Sequence, residues 1–156
     1  QEETITMNGT TGVTSSNTFL RLNRMEVMTA GSSESMEGTI TADVGGNELS
    51  RMEADYDNQS LQANYTIPAG KTGYLTRIQT TSTKDNKAAF VGLFTRELGS
   101  LFGVKQLVEV YRNNVVIDFT APLVIPEKTD IELRGKNDGS GQVSIGGTFD
   151  LILVDN

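Results

Sequence analysis

Ala69-Gly70-Lys71-Thr72-Gly73 runs directly into Tyr74-Leu75-Thr76-Arg77-Ile78-Gln79-Thr80-Thr81, and the residues after the glycines decide how the chain is read. Gly-Lys-Thr is the core of the phosphate-cradling loop of nucleotide hydrolases, where successive backbone N–H groups curl round an anion. That loop needs an earlier glycine at the place held here by Tyr65, and it opens a helix whose N-terminus faces the phosphate. Residues 74–81 instead alternate as a strand does. The phrase therefore reads as a β-corner. It is echoed at Ile125-Pro126-Glu127-Lys128-Thr129, where an apolar run again meets Pro, turns through small or charged residues and resumes as a strand.

Working outward, helical periodicity is hard to find. Short alternating runs separated by Gly, Asn, Asp and Ser clusters predict an all-β chain, with strands over 3–8, 18–29, 37–43, 60–67, 73–83, 88–97, 103–112, 115–119, 129–136 and 142–154. Residues 45–58 read as a loop or one short helical turn around Leu49, Met52 and Ala54. Asn113-Asn114 predicts a two-residue hairpin turn, and Asn137-Asp138-Gly139-Ser140-Gly141 a second turn. In the last strand Phe149, Leu151 and Leu153 share one face while Ile152 and Val154 occupy the other. Apolar residues on both faces predict a central strand, covered by another sheet or by a neighbouring subunit. The expected fold is an antiparallel β-sandwich, jelly-roll-like, over 18–156, preceded by an extended N-terminal arm over 1–17.

Composition narrows the chemistry. The 156 residues include no Cys and no His, which removes disulfides, thiolate metal sites and Ser-His or Cys-His nucleophilic catalysis. Thirteen Lys plus Arg against 20 Asp plus Glu give a formal charge of −7, which opposes binding to nucleic acid or anionic lipid. No apolar run approaches the roughly 20 residues of a membrane-spanning helix. The chain begins at Gln1 without Met, which reads as a processed or trimmed product, and its polar first segment should fray unless an assembly pins it.

Candidate sites each meet a simpler reading. Asp55, Asp57 and Asn58 offer oxygen ligands at calcium-loop-like spacing, but the distal Glu and the Gly of that loop are missing, so solvated carboxylates are expected. Glu48, Glu53, Asp55 and Asp57 could supply a glycosidase acid/base pair by residue type, yet no Trp accompanies them to form a sugar platform. Three Asn-X-Ser/Thr sequons, at Asn8, Asn58 and Asn64, match at a rate close to chance in an Asn- and Thr-rich chain. Arg21 and Arg24 with Glu26 mix charge into an apolar stretch, one face of which is expected to meet another chain or an ion-paired rim, with a solvated face the default for the charges. Glu97-Leu98-Gly99-Ser100-Leu101-Phe102-Gly103 differs, because turns are normally polar and this one carries Leu98, Leu101 and Phe102. Either it presents an apolar patch to another subunit or it folds back to cap the sandwich.

Several phrases together resemble a known group. They are Tyr65-Thr66-Ile67-Pro68-Ala69-Gly70-Lys71-Thr72-Gly73-Tyr74, the run from Phe119 through Ala121-Pro122-Leu123-Val124-Ile125-Pro126, and the closing Gly147-Thr148-Phe149-Asp150-Leu151-Ile152-Leu153-Val154-Asp155-Asn156. Asn8-Gly9-Thr10-Thr11, Arg21-Leu22-Asn23-Arg24 and Ala30-Gly31-Ser32-Ser33 add to it. The chain resembles virion structural proteins of tailed bacteriophages, marine and cyanobacterial ones in particular. The resemblance implies a non-enzymatic protein on the particle exterior: a capsid decoration (cement) protein, or a collar, fibre or glycan-contacting lectin-like domain. It further implies partners among the major capsid protein or other virion proteins, and a homotrimer. It supplies no catalytic, cofactor-binding or metal residue. The contact residues expected are Ile5 and Met7 in the arm and Leu98, Leu101 and Phe102 in the apolar turn.

Overall fold

A computed structural model describes residues 1–54, 58–83, 88–137, 139 and 143–156. The Asp55/Asp57 reading and most of the turn over 138–141 lie outside the described residues. The described chain is all-β, with antiparallel pairing throughout, and divides into two compact units, Gln1–Gln62 and Ala63–Asn156. The strands of the sandwich run from Asn64 onward.

The first unit contains one hairpin among the described residues, β1 (Ile40–Val44) with β2 (Asn47–Met52). Gly45 and Gly46 link them with φ of 59° and 80°, the two left-handed residues of a type I′ turn. Residues 47–52 are thus a strand, where a loop or helical turn was expected; the Gly-Gly pair supplies the turn and sets the pairing. The strands expected over 3–8 and 18–29 do not form. Their patterns alternate, but strand geometry needs a hydrogen-bonding neighbour, and among the described residues only two isolated bridges, Asn8 with Thr11 and Glu26 with Gln59, provide one. Residues 25–27 lie antiparallel to 58–60 through Val27 N–H to Asn58 O (2.8 Å) and Ser60 N–H to Met25 O (2.9 Å). Asn58 holds left-handed φ of 54°. Its amide accepts from Met36 N–H at 3.1 Å and donates to Glu34 O at 3.2 Å, a structural use of a sequon asparagine.

The second unit is the sandwich. One sheet has the order β3 (Asn64–Thr66), β8 (Asp130–Asn137), β5 (Ala88–Arg96), β6 (Gly103–Tyr111). The other has the order β7 (Asn114–Ile125), β4 (Lys71–Ser82), β9 (Ile145–Asp155). Ile67, Leu75, Ile78, Leu93, Ile125 and Ile131 form the buried cluster between them, with Tyr65, Val108, Phe119, Leu133 and Phe149 packed around it. Alternation located β4, β5, β6, β8 and β9 to within a few residues, whereas β7 continues to Ile125, well past the expected 115–119. β5 and β6 are the only consecutive strands of the described sandwich that stay in one sheet. The turn at residues 112–113 therefore does not make the hairpin expected at Asn113-Asn114: β6 and β7 belong to opposite sheets, and Asn113 O accepts instead from Ser82 N–H of β4 at 3.1 Å. β9 is an edge strand, not a central one. Its outward Ile152 and Val154 stay exposed because no described element of the second unit covers that face.

The two echoing phrases meet in space. Ile67 N–H donates to Thr129 O (2.9 Å), Lys128 N–H donates to Ile67 O (2.7 Å), and Gly70 N–H donates to the Glu127 carboxylate. That last bond, helped by the Lys128 charge, holds the Glu127 carboxyl below its ordinary range. Gly70, at φ 76°, takes the left-handed corner of the turn closed by Lys71 N–H to Pro68 O. Lys71 and Thr72 pair side by side with Asp155 and Asn156, both at 2.6 Å. Gly70 N–H and the Lys71 and Thr72 side chains are thus committed to joining strands, and Lys71–Ser82 runs on as β4, as the β-corner reading expects.

Candidate functional site

The apolar turn Glu97–Phe102 joins β5 to β6 and is held from below. Arg96, the last residue of β5, pairs across the sheet with Asp130 of β8. Its Nη2 and Nε donate to Asp130 Oδ2 at 2.7 and 3.0 Å, while Thr66 of β3 donates its hydroxyl to Asp130 Oδ1 at 2.7 Å. One carboxylate thus ties three strands. Its side chain is 12% exposed and that of Arg96 24%, so the pair is screened from solvent far more than the other ion pairs described. Burying these charges is tolerable because each finds several partners.

The Arg96 guanidinium also lies over the Phe102 ring, 4.2 Å from its centroid. Arg134, ion-paired with Glu132, sits 4.3 Å from Phe102 and 4.7 Å from Phe94. Phe94 leans back over Gly92, where a Cβ would come within 2.5 Å of the ring. Each such cation–ring contact contributes about 0.5–1 kcal/mol at partly exposed sites, enough in combination to fix where the turn lies. Phe102 is accordingly half-buried and acts as the anchor of the turn. Leu98 (59% exposed) and Leu101 (92% exposed) project from it, with Gly99 at φ 81° turning the backbone between them and Ser100 N–H closing onto Glu97 O at 2.9 Å. One aromatic of the turn folds back, and two leucines point out.

Ile5 and Met7 are also exposed, at 39% and 47%. Their segment closes on itself as a loop. Both oxygens of the Glu3 carboxylate accept bonds from residues 15–17: the Ser15 hydroxyl (2.6 Å), the Ser16 N–H and hydroxyl (2.8 and 2.7 Å) and the Asn17 N–H and amide (3.2 and 3.0 Å). Gln1 adds a bond to Asn17 at 2.7 Å. The Ser15 hydroxyl, with the Ser16 and Asn17 donors after it, lowers the Glu3 carboxyl from 4.5 to about 2. The arm contacts and the turn contacts lie in different units.

A small cavity of about 210 Å³ lies in the sandwich beside the turn, lined by residues including Thr95, Glu97, Lys105, Leu123, Ile125 and Thr129. The Thr129 hydroxyl is buried with no hydrogen-bond partner among the described residues. Arg24 and Glu26 form an exposed ion pair, consistent with their reading as a charged face. Among the described residues no group of three or more acidic, His or Cys side chains comes close enough to share a metal ion. Arg96, Asp130 and Arg134, the residues that fix the turn, escape a sequence reading because their meeting depends on the β5–β8 register. Arg96 ends β5 and Asp130 opens β8, positions where a charge carries no signal of its own. Comparison with protein-family models, with curated proteins and with solved structures finds no match.

Proposed function

We propose that this chain is a non-enzymatic structural protein of a phage particle, which attaches to the outer capsid surface and reinforces it. The observation that carries the reading is the pinned turn at Glu97–Phe102. Solvent-exposed leucines on a turn whose base is fixed by Arg96, Asp130, Arg134 and Phe102 are arranged for a protein contact, since little ordering entropy remains to be lost on binding. Ile5 and Met7 add a second exposed apolar site. The acidic charge and the resemblance to tailed-phage virion proteins favour the same setting.

The test is to locate the chain by imaging particles of the virus that encodes it, with wild type and Leu101→Asp compared. We expect it on the capsid exterior and expect the substitution to reduce occupancy at least tenfold while leaving the sandwich folded. Unchanged occupancy, or absence from the particle, overturns the reading. The cavity beside the turn favours a second reading, a fibre or lectin-like domain that contacts glycans, because Thr95, Thr129, Glu97 and Lys105 offer the donors and acceptors a sugar hydroxyl needs. A glycan-array screen with no binding ends it.

A further inference from the structure

Open sheets have edges, and natural sheets protect them with short strands, bulges, Pro or Lys. Three of the four sandwich edges obey that rule. β3 has only three residues. β6 carries a bulge at Lys105, since Leu93 pairs with Gln106 and Phe94 with Val104. β7 sets Phe119 to Pro122 against the single residue Thr76, so its edge is broken and contains a Pro. β9 has none of these devices. It runs for 11 residues without Pro, Lys or Arg, and the register shift in its pairing with β4 falls at Thr76 of β4, leaving β9 continuous.

Its side chains call for a neighbour on both faces. Phe149, Leu151 and Leu153 point inward yet remain only partly buried. Outward, Ile152 is in register with Tyr74 and Val124, forming an apolar row that ends abruptly at the sheet edge, with Val154 beside it.

We infer that the free edge of β9 pairs antiparallel with β9 of a second copy, joining two three-stranded sheets into one of six. Charge selects the register. The longest overlap, centred on Asp150, would place that carboxylate directly opposite itself, which is destabilising. Centring on Leu151 removes the clash: Leu151 meets its own copy, Phe149 meets Leu153, Asp150 meets Ile152 and Thr148 meets Val154. Inward residues then face inward residues and outward face outward, as a two-fold axis normal to the sheet requires. The pairing calls for a dimer rather than the trimer that the family resemblance implies. It rests on the reading of this chain as an assembly protein but not on which particle it joins.

The chain has no Cys, so introduced thiols report without background. Under oxidation, a mixture of Thr148→Cys and Val154→Cys proteins should form a disulfide-linked dimer, whereas each variant alone should not, because each thiol then lies several residues from its copy. Sedimentation should give a dimer for the wild type and at least tenfold weaker dimerisation for Val154→Lys, with the same circular dichroism spectrum. A monomer at all concentrations, a trimer, or cross-linking of either single variant as strong as that of the mixture overturns the inference. So does undiminished dimerisation of a folded Val154→Lys protein. If that variant does not fold, the cross-linking pattern decides. A dimer that fails to bind any particle would end the proposed function and leave this pairing intact.

Discussion

The two units of this chain are stabilised in different ways. In Ala63–Asn156 two sheets enclose Ile67, Leu75, Ile78, Leu93, Ile125 and Ile131, each at most 2% exposed. In Gln1–Gln62 the only buried apolar side chains among the described residues are Met36 and Met52. What fixes the first unit is polar: the Glu3 cluster, the Asn58 bonds, Ser50 donating to Gln62 at 2.6 Å, and Arg51 paired with Glu48 and Glu53 at 2.6 and 3.2 Å. Exposed pairs of this kind contribute little net stability because water competes for them. A chain can thus be ordered along its length while its resistance to unfolding is concentrated in one part.

The sharpest way to break this contrast is to excavate both units. Leu93→Ala should cost the sandwich about 3–4 kcal/mol, the usual penalty for a cavity in a packed core, whereas Met52→Ala should cost about 2 kcal/mol, the low end of that range, since Met36 is the one other buried apolar side chain described in its unit. Denaturant melts of the two variants check this; equal losses would erase the contrast between the units. A smaller effect is expected from Asp130→Asn. It removes the charge that Arg96 and Thr66 share and should destabilise the sandwich by about 2–3 kcal/mol, in keeping with hydrogen bonds to a charged group. The same variant should loosen the turn, seen as faster amide exchange at Leu98 and Leu101, and unchanged exchange would mean that Phe102 alone anchors it.

The mildest effect concerns pH. The folded Glu3 carboxyl is depressed from 4.5 to about 2, so its contribution is fully present above about 4.5 and fades as pH falls toward 2. The loop over 1–17 should remain closed at pH 4 and open near pH 2, while Glu3→Gln should show no such step. Carboxyl chemical shifts recorded by NMR would reveal it. A normal titration near 4.5 would mean that the cluster does not persist in solution.

Much of the sandwich is legible in sequence because β4, β7 and β9 alternate over long runs, and alternation is the direct imprint of having one dry face. What alternation cannot supply is a partner. Residues 3–8 and 18–29 carry the same pattern without a sheet to join, and Asn47–Met52 forms a strand that its own composition conceals. The tight turn after Tyr111 reads as a hairpin because turn chemistry specifies local geometry and not which sheet the chain enters next. Ile152 and Val154 give β9 a second apolar face, and an edge strand with such a face leaves the same trace in sequence as a central strand. Of the expected contact residues, Leu98 and Leu101 are presented and Phe102 is not. Two guanidiniums delivered by other strands claim its ring, and their arrival is set by a register that no local pattern records.

The crossing connections carry a consequence for synthesis. β4 is the middle strand of its sheet, yet both of its neighbours, β7 and β9, come later in the chain. At about 5–20 residues per second on the ribosome, Leu75 and Ile78 wait several seconds before residues 145–155 emerge to complete their shelter. Until residues 114–125 emerge, the nascent chain exposes a long β-prone segment with nothing native to pair with. Newly made copies on crowded polysomes are therefore most exposed to mispairing through β4, and a chaperone that recognises extended apolar segments would find its target there.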